Sequence, residues 1–362
     1  MGELLSSSPR IAANDEGIGA DELRLAGRNH AMPLEALRYD VTPAGLHYLL
    51  IHYDIPHLDA ASFRLDVLGR RAMAVDLDDL RSRPRVTMPV TFECAGNGRA
   101  HLQPRPVSQP WLDEAVGTAE WAGTPLAPLL REAGLSDDGS EVVFTGADHG
   151  LEFGWEQDYA RALPLAEALG DDVLLAYEMN GQPLLPQHGA PLRLVVPGWY
   201  GMTQVKWLKE IRVVADGFTG FHNAVACRFK QDADEAGEPV TRIAPRALLV
   251  PPGFPDFMTR TRVVDRGGHE LTGRAWSGWA PVQRVQVSTD GGATWSDAEL
   301  DAPLGRWAWR GWRWIWEADR CGSYVLCVRA DDAAGNAQPV HHPSNRQGMC
   351  NTSVQRVEVV AR

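Results

Sequence analysis

Cysteine is scarce in this chain, and its spacing does not suit a structural framework. The 362 residues contain five cysteines with no C-x-x-C pair and no C-x-x-C-H haem-attachment motif, at positions 94, 227, 321, 327 and 350. An odd, scattered set argues against a disulfide scaffold or a zinc ribbon and favours a reducing compartment. Cys321 and Cys327 could share one strand, so we expect both to be core thiols.

The sequence also lacks a targeting segment, a long apolar run and a G-x-G-x-x-G nucleotide-binding motif. No stretch reaches the length needed to span a membrane, and no fused haem domain is evident. Met1-Gly2 followed by Ser6 matches the loose pattern for N-myristoylation, but no basic patch supports it, and we interpret the match as chance. We therefore expect a cytoplasmic protein.

Positive charge is in short supply. The net charge of −12 argues against a nucleic-acid partner, because phosphate backbones need a clustered basic face. An anionic substrate would need a local basic exception to this acidic composition. With 44% hydrophobic residues the chain can bury a full core, and its length predicts two domains.

The pattern along the chain changes near residue 245. We predict an N-terminal tail over 1–22, an α+β domain over 23–244 with helices at 126–133 and 164–169, and an all-β immunoglobulin-like sandwich over 245–362. The prolines between Pro245 and Pro255 should resist regular structure. Asp290-Gly291-Gly292 predicts a hairpin turn. The predicted strands of the sandwich include 259–264, 282–288, 307–316, 324–330 and 354–360, and the alternating Trp307, Trp309 and Trp314 or Trp316 should lie in its core.

The most informative segment runs from Thr91 to Arg99, where an apolar run ends in a lone cysteine and a turn. Gly96 and Gly98 permit close backbone approach to a ligand, and Asn97 tolerates a left-handed turn. A thiolate with an arginine five residues on suggests a soft-metal ligand or a nucleophile beside an anion pocket. An inert core thiol is the alternative.

Two basic clusters could complete such a pocket. Arg28-Asn29-His30 precedes a proline and should end a strand and enter a loop. A second group contains His188 and Arg193 and continues to Thr203 and Lys206, whose hydroxyl and ammonium could hold a phosphate. Each cluster alone could equally be a solvated loop.

These motifs together resemble the sulfite oxidase family of molybdenum enzymes. The resemblance is carried by Cys-Ala-Gly-Asn-Gly-Arg at 94–99, Arg-Asn-His at 28–30, 176–184 through Val-Lys-Trp at 205–207, and, in the second domain, Gly278, 288–295 and Trp-Ala-Trp-Arg at 307–310. It covers nearly the whole chain in order. It implies the family's molybdopterin-binding α+β domain followed by its dimerisation domain, and hence a homodimer.

The resemblance implies a molybdenum–molybdopterin cofactor with the thiolate of Cys94 as the protein's metal ligand. A thiolate suits a soft, redox-active metal. The other expected cofactor contacts are Arg28, Asn29, His30, Asp148, His188, Arg193, Thr203 and Lys206. Asp148 could instead cap a turn.

The family's substrate pocket is a positive cup, and the matching positions here are Arg28, Arg99 and Arg310, with Trp111 in its wall. Three guanidinium groups can bind a small oxyanion through forked hydrogen bonds. Arg310 would require the second domain to close the site. The alignment places Cys227 where the family has a tyrosine, which implies slower turnover, an altered substrate, a register error or a core thiol.

The implied reaction is oxidation of sulfite to sulfate, with the electrons passed to an external acceptor that the sequence does not specify. A reductase of sulfoxides or of another small oxyanion is the first alternative. A non-catalytic binder of the cofactor or of an oxyanion is the second.

Overall fold

The computed structural model describes residues 10–135 and 139–362. The pattern at Met1-Gly2 lies outside these residues. The α-helices are short: α1 Ala20–Arg28, α2 Leu77–Ser82, α3 Leu126–Ala133, α4 Leu165–Ala168 and α5 Phe221–Ala224. Single turns of 3₁₀ helix occur at Leu34–Arg38, Arg99–His101, Pro186–His188 and Gly201–Thr203.

Local sequence explains where these helices begin and end. In α2, Asp76 accepts a hydrogen bond from the backbone N–H of Asp79 at 2.9 Å, which caps the first turn. In α3, Pro125 precedes the first turn, and Gly134 with φ 76° ends the helix. The predicted helices at 126–133 and 164–169 are therefore present, the first with the same bounds and the second as α4.

Two sheets form the first half of the fold. Its strands are β1 Leu65–Leu68, β2 Ala72–Val75, β3 Val86–Glu93, β4 Val116–Pro125, β5 Glu141–Glu152, β6 Trp155–Pro164, β7 Leu174–Met179, β8 Gln182–Pro183, β9 Arg193–Val195, β10 Leu208–Val214, β11 Arg228–Phe229 and β12 Glu238–Pro239. One sheet has the order β2-β1-β10-β5-β6, and the other has β3-β4-β7-β8 with β9 also paired to β7. A separate ribbon joins β11 to β12.

The second half is a β-sandwich. Its strands are β13 Arg246–Leu249, β14 Phe254–Pro255, β15 Arg262–Val264, β16 Gly267–Trp276, β17 Val282–Ser288, β18 Ser296–Asp297, β19 Glu299–Leu300, β20 Arg310–Ala318, β21 Gly322–Asp332 and β22 Gln355–Ala361. The sheets β13-β16-β20-β19 and β14-β15-β22-β21-β17-β18 share one core that includes Leu271, Val285, Trp312 and Leu326. The expected hairpin turn at Gly291 and Gly292 is present, with positive φ at both glycines.

Several local predictions are wrong. Arg28 ends helix α1 rather than a strand, and residues 246–249 form the fully buried strand β13 rather than irregular chain. Cys327 is buried in β21, but Cys321 precedes that strand and is exposed. Trp309 is buried outside the sandwich core, because its indole donates to the carbonyl of Asp40 in the first half.

The two halves pack closely against each other. One apolar cluster between them contains Met32 and Tyr200 from the first half and Trp276 and Trp309 from the second. Arg274 of β16 donates to the carbonyls of Leu37 and Arg38 and pairs with Asp40. Within residues 10–135 and 139–362, no helix is long and apolar enough to cross a membrane.

Candidate active site

A cavity of about 1120 Å³ opens in the first half and reaches the second. Its wall is built from the loop that follows β3, the extended segment 47–53, the end of β5, the segment 188–206, the region after α5, and Met349 from the second half. Loops carried on the two sheets therefore bring distant parts of the sequence together at one site.

The loop after β3 presents Cys94 to this cavity. We refer to residues 94–99 as the Cys94 loop. Gly98 has φ 82°, and Asn97 fixes the turn by accepting from the N–H of Ala115 at 3.0 Å. Burial raises the pKa of the Cys94 thiol, while Arg99, the N–H of Gly96 and the indole of Trp111 act in the opposite direction. A bound metal cation would favour the thiolate further.

Arg99 ends the same loop and is 5% exposed. Its Nε donates to the carbonyl of Gln347 at 3.1 Å, and its Nη1 donates to that of Gln109 at 3.1 Å. Its Nη2 lies 3.7 Å from the sulfur of Met349. Within the described residues no carboxylate pairs with this guanidinium, and burial lowers its pKa. Arg99 therefore places an uncompensated positive charge beside the Cys94 thiol, where an anion would be stabilised.

A second group of buried cations lies on the segment 188–206. The guanidinium of Arg193 lies 5.0 Å from the ring of Phe92 and 4.6 Å from the ring of Trp121, and it donates to the carbonyls of His188 and Gln204. Burial lowers its pKa to about 9. Lys206 donates to the carbonyls of Leu50 and Gln187, and burial together with Arg193 lowers its pKa to about 7.

Two neutral histidines lie beside these cations. Burial lowers the pKa of His47 to about 4 and that of His188 to about 2, so both rings act as hydrogen-bonding groups rather than charges. Their ring centroids are 5.8 Å apart. Among the described side chains, His47 Nε2, Arg193 Nε and Thr203 Oγ1 are buried without a hydrogen-bond partner. A ligand bound in the cavity could supply the partner that a buried polar atom such as His47 Nε2 usually has.

The donor set fits a molybdopterin cofactor. Arg193 and Lys206 supply positive charge for a phosphate, and the neutral imidazoles supply donors or acceptors for a heterocycle. Asp148 also lines the cavity, and burial raises the pKa of its carboxyl to about 6. Cys94 lies in the same cavity and supplies a soft metal ligand.

The structure brings most of the predicted site residues to this cavity. Its wall includes Asn29, Cys94, Arg99, Trp111, Asp148, His188, Arg193, Lys206 and Cys227. Asn29 also anchors the adjacent segment, because its Oδ1 accepts from the N–H of Ile51 at 2.6 Å. Their roles toward cofactor and substrate stay predictions.

Four predicted residues lie outside the cavity wall. Arg28 is exposed, and its guanidinium contacts the carbonyl of Tyr53 and the carboxylate of Asp54. His30 is exposed and forms a backbone bridge with Leu49. Thr203 is fully buried beside the wall rather than in it.

Arg310 is the fourth, and the expectation that it closes the pocket is wrong. It begins β20, and its guanidinium donates to the carbonyls of Asp301 and Val282 within the sandwich. The second half reaches the pocket through Met349 instead, and both Met349 and the carbonyl of Gln347 contact Arg99.

Cys227 faces the cavity from the region after α5. It is 8% exposed, has φ 55°, and lies within the electrostatic reach of Arg161, Glu152, Cys94 and Arg99. Burial raises the pKa of its thiol to about 11, so the thiol is protonated near neutral pH. A positive φ at a residue that is not glycine marks a conformation held by its surroundings.

The structure places a group of ionisable side chains next to Cys227 that was not predicted from the sequence. Glu152 Oε2 lies 3.5 Å from His222 Nε2 and accepts from the hydroxyl of Tyr53 at 3.4 Å. His52 packs 5.0 Å from the ring of Tyr159, and burial lowers its pKa to about 4. A repeated His-Tyr pair at 47–48 and 52–53 was the signal in the sequence, and all four of these residues line the cavity.

Comparison with known proteins identifies the family and the fold. The chain matches an oxidoreductase molybdopterin binding domain over residues 52–222 and a Mo-co oxidoreductase dimerisation domain over residues 256–362. It is 33% identical to mitochondrial sulfite oxidase of Mus musculus, over 98% of this chain and 69% of that protein. The chain belongs to the sulfite oxidase family. It is a molybdopterin oxidoreductase.

Other relatives of this sulfite oxidase family member span a range of substrates. Sulfite oxidase of Gallus gallus is 35% identical, over 87% of this chain and 72% of that protein. An NADH nitrate reductase of Oryza sativa is 32% identical, but the chain spans only 40% of its length. The structure of the sulfane dehydrogenase SoxCD from Paracoccus pantotrophus aligns with a TM-score of 0.79 over 97% of this chain and 92% of that one, at 24% identity, and shows the shared fold.

Proposed function

We propose that this protein oxidises sulfite to sulfate and passes the electrons to an external acceptor. The observation that carries the proposal is the position of Arg99, a buried guanidinium without a carboxylate partner among the described residues, in the same cavity wall as Cys94. An oxyanion bound there would supply the missing negative charge. The similarity to the sulfite oxidases of Mus musculus and Gallus gallus supports the same choice of substrate.

The molybdenum cofactor, when bound, supplies the oxygen transfer and takes up the electrons. Cys94 would hold the metal, and Arg193, Lys206, His47 and His188 would bind the phosphate and the pterin. The chain itself positions the substrate: Arg99 binds its oxygens, and Trp111 forms part of the wall beside it.

Oxidation of sulfite takes an oxygen from water and releases protons as well as electrons. We assign the acceptance of these protons to the imidazole of His222, which lies 3.5 Å from the carboxylate of Glu152 in the cavity wall. Burial alone would raise the pKa of Glu152, but the contact with His222 and the nearby imidazoles bring it below its usual value. Cys227 contributes only a weak thiol donor beside this pair.

One observation favours the reduction of a sulfoxide as a second candidate. Of the three arginines expected around the substrate, only Arg99 lines the cavity, while Arg28 and Arg310 do not. A cup with fewer positive charges suits a neutral substrate better than a dianion.

A single comparison distinguishes these candidates. Protein purified from a host that makes molybdopterin is assayed for sulfite-dependent reduction of ferricyanide and for sulfoxide reduction driven by a reduced dye. We expect sulfite oxidation, and we expect Cys94→Ser to abolish it. Stoichiometric molybdenum with sulfoxide reduction alone would contradict the proposal.

We also propose that the protein is a homodimer, in line with its match to the Mo-co oxidoreductase dimerisation domain. Sedimentation velocity at micromolar concentration should show twice the mass of the chain. A single species of monomer mass would refute this.

A further inference from the structure

We propose that Arg246, on strand β13 of the second half, is a positioning residue for the metal site, and that it holds the Cys94 loop in place through Glu93. The inference rests on the proposed function in one respect, which is that Cys94 is the metal ligand. It gives the sandwich a role in the chemistry of the site.

The carboxylate of Glu93 is the first link. Glu93 immediately precedes Cys94 at the end of β3 and is 1% exposed. Its Oε1 accepts from Arg246 at 3.1 Å and from Asn97 at 3.0 Å, and its Oε2 accepts from the indole of Trp276 at 2.8 Å. Two of these three donors belong to the sandwich, so the residue next to Cys94 is held by the second half.

Arg246 is the second link, and it is as deeply buried as Glu93. Besides Glu93, it donates to the carboxylate of Asp113 at 2.7 Å and to the carbonyl of Asn351 at 2.8 Å. These contacts use both terminal nitrogens of the guanidinium in fixed directions. Lysine could keep the charge but could not reproduce the planar fork.

The rest of the Cys94 loop is bonded to the same part of the sandwich. The N–H of Cys350 donates to the carbonyl of Ala95 at 2.7 Å. The side-chain amide of Asn351 donates to the carbonyl of Gly98 at 2.7 Å. Because Arg246 binds the carbonyl of Asn351, it supports these contacts as well as Glu93. Loss of its fork should therefore loosen the loop on both sides of Cys94.

The experiment compares Arg246→Lys with a matched control, Arg274→Lys. Arg274 also joins the two halves by donating to backbone carbonyls, but it contacts residues 37–40 and not the Cys94 loop. The first readout is the reduction potential and the electron paramagnetic resonance spectrum of the molybdenum. The second is the rate at which iodoacetamide alkylates Cys94 in cofactor-free protein, followed by peptide mass spectrometry.

We expect Arg246→Lys to change the spectrum and the potential and to speed alkylation of Cys94 by about tenfold, because the loop opens more often. Arg274→Lys should leave all three at their wild-type values, even if it lowers thermal stability. Identical behaviour of the two variants would overturn the inference. If Arg246→Lys does not fold, Glu93→Gln takes its place with the same expected results.

The outcome is separable from that of the proposed function. Wild-type protein that holds molybdenum but does not oxidise sulfite would refute the proposed function and leave the comparison of the two variants intact. Wild-type protein that holds no molybdenum would refute the metal role of Cys94 and with it this inference.

Discussion

Among single residues, Arg99 can occupy its position because two glycines beside it leave room for its side chain. A Cβ at Gly96 would lie 2.5 Å from a terminal nitrogen of the guanidinium, and one at Gly348 would lie 2.7 Å from its Cγ. Two glycines, one from each half, thus leave a slot that the arginine fills. A cation buried without a counter-charge is costly, and an anion in the cavity would offset that cost.

Replacement of Arg99 by methionine should therefore weaken sulfite binding without unfolding the protein. We expect KM for sulfite to rise at least about tenfold, which corresponds to one lost charged hydrogen bond. Arg310→Lys is the matched control and should leave KM unchanged, because the guanidinium of Arg310 donates to carbonyls of the sandwich and does not line the cavity. Steady-state kinetics gives KM for sulfite in both variants. A larger increase in Arg310→Lys than in Arg99→Met would contradict the role of Arg99 in binding sulfite.

At the scale of elements, the segment from Pro186 to Lys206 contributes much of the cavity's positive charge and its neutral imidazole. It wraps the cavity with a 3₁₀ turn, strand β9 and a second 3₁₀ turn, and these hold His188, Arg193 and Lys206 against one another. Burial lowers the pKa values of all three, and repulsion by neighbouring cations lowers those of His188 and Lys206 further. A phosphate bound by this segment would reverse the repulsion.

The stability of the cofactor-free protein should report this strain. The pKa of Lys206 is about 7 in the folded protein and 10.5 ordinarily, so the unfolded chain binds more protons between these values. Stability from this residue therefore rises with pH across that window. Compared with Lys206→Met, wild-type protein should gain about 2 kcal/mol of unfolding free energy between about pH 7 and 9. The unfolding free energy of both proteins is measured by urea denaturation at the two pH values. If it changes equally with pH in wild type and Lys206→Met, Lys206 keeps its ordinary pKa.

Elements with strong local signals were predictable from the sequence. Helix α3 lies between Pro125 and Gly134, and β17 has the predicted bounds 282–288. The prediction that Arg28-Asn29-His30 ends a strand was wrong, because the end of a helix and the end of a strand before a proline look alike in sequence. Strand β13 was not predicted, because its pairing with β16 stabilises it although prolines lie on both sides.

Across the whole molecule, the sandwich contacts the site as predicted, but it does so through Gln347 and Met349 and not through Arg310. Arg99 meets the carbonyl of Gln347, 248 positions away, and no local pattern marks that contact. The motif at 307–310 was the more conspicuous signal, yet it packs between the two halves and inside the sandwich. Motif resemblance predicted the thiol and most of the other predicted side chains that line the cavity, while the contacts between the two halves depended on the folded structure.

We propose that the thiolate of Cys94 binds molybdenum in this cavity. X-ray absorption at the molybdenum edge tests it most directly, on molybdenum-loaded wild-type protein, Cys94→Ser and, as a control, Cys227→Ser. We expect one fewer sulfur neighbour of the metal in Cys94→Ser and no change in Cys227→Ser. An unchanged sulfur count in Cys94→Ser would contradict it.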